Sequence, residues 1–346
     1  LPHELEYVTY HHPDDIILVK SKALSDEHFS TFIDKHCGDG FDKKEYINFF
    51  KRLFEDQIKA GEEKIRGYRK DIMNIIDSNV YCLVGLRFTS IKTKVLEPRV
   101  KKTEGIAMKF ASLKTIEDIK SFAKEYGLLG VLVPYKSTGL LNVLYRGITS
   151  PNYYYGVFEP LSVWKYYIQH IRGLTKLYQI LSDPDLKETD VIGVLSKHES
   201  YDSVAKFIAY DHNGDSIHVS NFLIPGFNQD EEVDKQKAIK LLGNSLQGGL
   251  YSAINVSFSD VIPSKYNRLG FKIKETYTTH YLLAAIYYDL WRMMAEDQDV
   301  IFCGYCGRAL PKKGKKMYCN NSCKQMAYRK RKQKKQKKKD KPDVIF

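Results

Sequence analysis

Apolar residues recur at intervals of three and four along residues 161–181: Leu161, Trp164, Tyr167, Ile168, Ile171, Leu174, Leu177, Tyr178 and Leu181. This spacing predicts one long helix with a buried face, stopped by Asp183-Pro184. A second helical pattern covers 42–77 (Tyr46, Phe49, Phe50, Leu53, Ile58, Ile65, Ile72, Ile75), loosened at Gly61 and Gly67. Residues 116–126 read as an amphipathic helix with Thr115 as N-cap, Glu117 and Asp118 in the first turn, and Gly127 at its end. Residues 233–246 read as another helix. The last helix starts after Thr278 or Thr279 as cap and runs to about Glu296. Its stripe of Leu282, Ile286, Leu290 and Met293 is flanked by Leu283, Tyr287, Trp291 and Met294, so it is apolar on most sides and predicted to be buried.

Runs rich in β-branched and aromatic residues predict strands at 7–10, 15–19, 81–89, 92–100, 204–210, 216–219, 254–258 and 271–276, with Asp211-His-Asn-Gly214 as a hairpin turn. Residues 128–133 form a short buried run. A Gly-, Ser-, Tyr- and Pro-rich stretch at 136–160 marks an internal boundary or a long loop. The fold class expected is α+β, with no internal repeat. The organisation expected is an N-terminal α+β region (1–150) and a mainly helical region (151–300) ending in the buried helix, the two being joined as one domain in the alternative. A small cysteine module (301–329) and a disordered lysine-rich tail (330–346) follow.

Composition agrees with a packed body: of 346 residues, 43% are hydrophobic and 28% charged. The longest apolar run, 281–291, is 11 residues and contains Asp289, well short of a membrane span. The opening residues carry neither a basic start nor an apolar stretch, so a cytoplasmic location without membrane attachment is expected. Charge changes the picture more. Residues 308–341 hold 16 Lys and Arg against one acid, Asp340, leaving 38 basic and 41 acidic residues in the remainder. A nearly neutral body therefore precedes a strongly basic end, which points to a polyanionic partner.

Four of the six cysteines follow the pattern Cys303-x2-Cys306-x12-Cys319-x3-Cys323. Two close pairs about a dozen residues apart are what a tetrahedral Zn²⁺ site needs, since each pair offers two thiolates from one turn and the intervening hairpin joins them. Gly307 suits a knuckle with φ > 0, Pro311-Lys-Lys-Gly314 a tight turn, and 316–319 a short return strand. Asn320, Asn321 and Ser322 are N-cap types that place Cys323 in the first turn of a helix. Knuckle, hairpin and ligand-bearing helix describe a treble clef. A disulfide pair and an iron–sulfur cluster are the competing uses of such cysteines. One Zn²⁺ held by four thiolates has no position left for water, so its expected role is structural.

Cys303-Gly-Tyr-Cys306-Gly-Arg-Ala-Leu-Pro and Met317-Tyr-Cys319-Asn-Asn-Ser-Cys323-Lys-Gln-Met-Ala-Tyr-Arg-Lys-Arg resemble the C-terminal finger of bacterial CGNR-type proteins, which join an ABATE-like domain to a treble clef. The likeness covers about 278–332, including the apolar helix before the first cysteine, and is faint at 116–127. The family's Cys-Gly-Asn-Arg signature is replaced here by Cys323-Lys324-Gln325-Met326, so the four zinc ligands carry over and roles tied to that Gly, Asn and Arg do not. The resemblance implies a zinc-binding transcription regulator with a sensor or oligomerisation region in front of the finger.

Lys312, Lys313, Lys315 and Lys316 on the hairpin tip, with Lys324, Arg329, Lys330, Arg331, Lys332, Lys334 and Lys335 on and after the last helix, are the residues expected to grip nucleic acid, DNA ahead of RNA. Lysine runs act as point charges and read no base sequence. Tyr318 and Tyr328 are candidates for base stacking or for packing on the knuckle. No nucleotide-binding, zinc-protease or serine-hydrolase motif occurs, so no catalytic residue is assigned. His11-His12-Pro-Asp14-Asp15 reads as an exposed turn rather than a metal or acid–base cluster, and His36-Cys37, in a Gly-rich context without an identifiable partner, as a loop rather than a Cys-His nucleophile. Asp211-His-Asn213-Gly-Asp215 imitates the start of a calcium loop, but Phe222 stands where the bidentate Glu is needed. Two other readings stay open: a nucleic-acid- or nucleotide-processing enzyme that docks through the finger, and a protein-interaction finger with a solubilising tail.

Overall fold

A computed structural model of the chain describes residues 5–9, 15–24, 31, 35, 79–86, 92–96, 105–131, 158–198, 201–210, 216–223, 227–251, 253–263, 271–312, 314 and 316–339. The predicted helical pattern at 42–77, the boundary stretch at 136–157, the turn at 211–215, His11, His12, His36 and Cys37 lie outside these residues. The strands are β1 (Leu5–Thr9), β2 (Asp15–Lys20), β3 (Tyr81–Leu86), β4 (Lys92–Leu96), β5 (Phe158–Pro160), β6 (Val191–His198), β7 (Tyr201–Tyr210), β8 (Ser216–Leu223), β9 (Glu231–Asp234), β10 (Asn255–Pro263), β11 (Phe271–Thr279), β12 (Val300–Phe302) and β13 (Ala309–Pro311). The helices are α1 (Ile106–Ala111), α2 (Ile116–Tyr126), α3 (Leu161–Leu181), α4 (Lys235–Leu250), α5 (Leu282–Ala295) and α6 (Asn321–Lys339), with a 3₁₀ turn at Ser21–Leu24.

This is an α+β fold with several small sheets, ordered β10-β11-β1-β4, β2-β3-β5, β8-β7-β6-β9 and β12-β13. Among the described residues all pairings are antiparallel except β1 with β11, whose register Leu5↔Tyr277 joins residues far apart in the chain. Residues 151–300 carry seven complete strands, β5 to β11, beside α3, α4 and α5, so that region is less helical than its periodicity suggested. Val191–His198 carries no strict alternation in its sequence, and its register against β7 and β9, which shifts at Lys197/His198 and Val191/Gly193, comes from partners the local pattern does not name.

Helix α3 occupies the predicted span and packs on β8, α1, α4, α5 and β12. Its buried residues form the expected face, with Trp164 and Ile171 fully enclosed. At Gly173 a Cβ would lie 2.1 Å from the Val219 carbonyl oxygen, so only glycine lets helix and sheet approach this closely. Phe110, Phe122 and Trp164 join α1, α2 and α3 through ring centroids 5.4–6.4 Å apart.

The Thr115 cap is present as a full capping box: the Asp118 N–H donates to Thr115 Oγ1 at 3.1 Å, and the Thr115 N–H to Asp118 Oδ2 at 2.9 Å. Helix α5 is buried as expected, but its cap differs. It begins at Leu282 with no side-chain cap; Thr279 instead accepts the Tyr281 N–H, and the Leu283 N–H donates to the Leu129 carbonyl at 3.0 Å. Helix α4 starts two residues later than predicted because Asp234 caps it and β9 occupies the residues before.

A carboxylate sits inside the body. Glu159, 1% exposed, accepts N–H groups from Leu129 (3.0 Å), Gly130 (2.6 Å), Val131 (3.2 Å) and the Trp164 indole (2.7 Å). Burial pushes its carboxyl up to about 7 despite these four donors. It ties the 129–131 segment to β5 and α3.

Candidate metal centre

Strands β12 and β13 pair as an antiparallel ladder, Val300↔Pro311 to Phe302↔Ala309, and the knuckle 303–308 is the loop that joins them. Their return is therefore 309–311. No strand is assigned at 316–319, which is instead tied to the knuckle by the Gly304 N–H on the Met317 carbonyl at 3.0 Å. Within the knuckle the Cys303 N–H donates to the Arg308 carbonyl (2.9 Å) and the Gly307 N–H to the Cys303 carbonyl (2.8 Å). Closing this loop puts Gly307 at φ +66, the left-handed region anticipated for it. Asn320 then accepts the Cys323 N–H at 2.8 Å and starts α6, placing Cys323 in the first turn.

These elements bring Cys303, Cys306, Cys319 and Cys323 together, with all four sulfurs within 4.8 Å of one another. Cys306 Sγ and Cys319 Sγ are 3.6 Å apart, and Cys319 Sγ and Cys323 Sγ 3.3 Å. Sulfurs set about 2.3 Å from a tetrahedral centre are separated by about 3.8 Å, whereas a disulfide requires about 2.05 Å. The cluster has the size of a metal cage, and all four cysteines are free.

The protonation chemistry fits a cation as well. Burial pushes the Cys303 thiol up, but the backbone N–H groups of Cys306, Cys319 and Tyr305 outweigh it and bring it down to about 6. The neighbouring Cys319 pushes the Cys323 thiol up to about 12, and burial with the Cys306 and Cys303 sulfurs also raises Cys319. The Cys303 thiolate is favoured, and a positive ion is what would let Cys319 and Cys323 ionise beside it. Four cysteines are thus positioned to hold one metal ion.

The finger is seated on the body. Val300 and Ala309 belong to the main core, and Phe302 packs against it. Lys176 Nζ lies 5.6 Å from the Phe302 ring centroid. Lys114, at the start of the α2 cap, donates to the Cys306 carbonyl. None of these contacts has a signal in the local sequence, since Lys114 and Cys306 are 192 residues apart.

The basic residues divide. Lys312 is exposed and 3.6 Å from Asp299, a screened pair that contributes little. Lys316, Lys324, Arg329, Lys330, Arg331 and Lys332 are exposed. Lys313 and Lys315 lie outside the described residues. Lys334 and Lys335 fall on the backbone of α6, which continues to Lys339 where a disordered tail was expected from residue 330. Lys, Arg and Gln are good helix formers, and no Gly or Pro interrupts the run before Pro342. Among the described residues no helix is long and apolar enough to cross a membrane.

Comparison with known protein families, with characterised proteins and with solved structures finds no match to this chain.

Proposed function

We propose that the chain holds one structural Zn²⁺ through Cys303, Cys306, Cys319 and Cys323, and that the treble-clef unit so formed is a nucleic-acid-binding module of a transcription regulator. The observation that carries this reading is the position of the thiol cluster. It sits at the root of a helix in a stretch, residues 300–339, that holds no Asp or Glu. Zinc is the metal that four clustered thiolates suit best among those without redox chemistry, and four protein ligands leave no open position, so its contribution is to folding. Bound metal would offset half of the charge of four thiolates and fix Cys323 against the knuckle, presenting Lys316, Lys324, Arg329, Lys330, Arg331 and Lys332 from a rigid base. The regulatory role, with the body as sensor or oligomerisation part, rests on the resemblance of 278–332 to CGNR-type fingers.

The test uses the full-length, metal-loaded protein. Metal analysis should return one zinc per chain. Binding to DNA, RNA and heparin is then followed at several salt concentrations. If about five phosphates are neutralised on duplex DNA, log K falls with log salt at a slope of roughly −4 to −5. Absence of binding at low salt removes the nucleic-acid role, and equal affinity for heparin reduces it to unspecific attraction for polyanions.

A further inference from the structure

The tyrosine just before the last helix and the one within it have different surroundings. Tyr318 is half-buried on the knuckle, close enough that a Cβ on Gly304 would meet its ring at 3.4 Å, and its hydroxyl lies 3.4 Å from Arg331 Nη2. Tyr328 is 64% exposed. It lies one turn after Lys324 and one turn before Arg331 and Lys332, all exposed, on the same side of α6. Arg331 is also held along the helix by its Nε, 3.4 Å from the Ala327 carbonyl. A phenol ring thus stands one helical turn from cations on either side, of which Arg331 is held in place. Of the eleven large hydrophobic side chains exposed among the described residues, four (Tyr305, Met317, Met326, Tyr328) fall within this short finger. The body also exposes aromatic rings (Tyr81, Tyr210, Tyr251, Trp291), but Tyr305 and Tyr328 stand in a stretch, 300–339, without acidic residues, and Tyr328 is the most exposed of these aromatic rings.

We infer that the finger takes single-stranded nucleic acid, with a base stacked on the Tyr328 ring and the adjoining phosphates held by Lys324, Arg331 and Lys332. This rests on the nucleic-acid reading above and narrows it. Cations alone attract any phosphate backbone and leave an exposed ring without a role. In a duplex the base faces are already stacked on one another, so only an unpaired strand offers one to a tyrosine. Stacking of this kind tolerates any base, so little base preference is expected from the ring itself; the amide one turn from it is the exposed Gln325.

The experiment measures fluorescence anisotropy of labelled oligo(dT), oligo(U) and a duplex, each about 20 nucleotides long, longer than a single site of this class. The titrant is the full-length, zinc-loaded chain, and wild type is compared with Tyr328→Ala and Tyr328→Phe. Single strands should bind more tightly than duplex at equal salt. Tyr328→Ala should weaken single-strand binding about tenfold, change duplex binding less than about twofold, and leave the salt slope and zinc content as they were; Tyr328→Phe should retain affinity. A preference between oligo(dT) and oligo(U) identifies the strand, and either one supports the inference. If the wild type binds but Tyr328→Ala affects all three probes equally or none, the stacking inference falls and the nucleic-acid role stands. If none of the probes binds at low salt, the nucleic-acid role itself fails.

Discussion

Helix α5 buries eleven of its fourteen residues, whereas in residues 321–333 of α6 only Ala327 is buried. The first helix is held by the apolar surface it removes from water, in contact with α4, α1, β1 and β11. The second has almost no such surface. Its lysines favour helix by propensity, yet like charges four residues apart, as at Lys330 and Lys334, oppose it. What anchors α6 is the Asn320 cap, the Ala327 contact and the sulfur of Cys323. The body's helix is organised by packing, the finger's by its cap and the four-cysteine cluster at its root.

The largest effect that would break this comparison is loss of the cage. Cys323→Ser should reduce bound zinc from one per chain to none, removing a binding free energy on the order of 10 kcal/mol. Circular dichroism at 222 nm should lose the share contributed by α6 while the main thermal transition of the body persists. A main transition that collapses together with the metal would show that packing does not hold the body by itself.

The reverse experiment strikes the body. Glu159→Leu strands four N–H donors, each unsatisfied buried donor costing about 1–3 kcal/mol, so destabilisation of at least about 3 kcal/mol is expected with zinc content unchanged. Its acidity adds a pH test. Burial raises the folded-state carboxyl above its ordinary 4.5 to about 7, so the folded protein binds the proton more tightly than the unfolded chain. The resulting stability is fully present below about 4.5 and is lost as pH rises toward about 7. Melting temperature measured across that window should fall with rising pH in wild type and lose this slope in Glu159→Gln.

Asp289→Ala comes next. Its Oδ2 accepts the Ala107 N–H at 2.8 Å, and losing this buried cap should cost about 1–2 kcal/mol in chemical denaturation. The smallest effect sharpens the junction between the regions. Lys114→Ala removes the donor to the Cys306 carbonyl and should alter body stability by under about 1 kcal/mol. Faster amide hydrogen exchange at Gly307, with unchanged exchange in α5, would locate the loss in the finger.

Much of this was readable in the chain. The cysteine spacing, the Asn320 cap and the glycine at 307 are local signals, and the cage follows from them. The apolar faces of α3 and α5 and the Thr115 cap are equally local. What the chain did not display are arrangements whose partners are distant. The Glu159 cradle needs a carboxylate from β5 to meet N–H groups 28–30 residues away. The pairing of β1 with β11 joins segments more than 260 residues apart, and the β12–β13 ladder consists of three-residue strands too short for alternation to register. The fate of the two tyrosines was likewise undecided, because packing on Gly304 or exposure to water depends on where the knuckle sits.

Helix α1 has only six residues, and both its ends are completed by other helices: Asp289 of α5 receives the Ala107 N–H, and Arg172 of α3 donates to the carbonyls of Ala111 (2.7 Å) and Leu113 (2.8 Å). So short a coil cannot nucleate by itself in water. Its helical state is therefore conditional on two neighbours that lie 61 and 182 residues further along the chain. Strand β13 of the finger leans on it, so the seat of the four-cysteine hairpin is an element kept wound by distant side chains rather than by its own sequence.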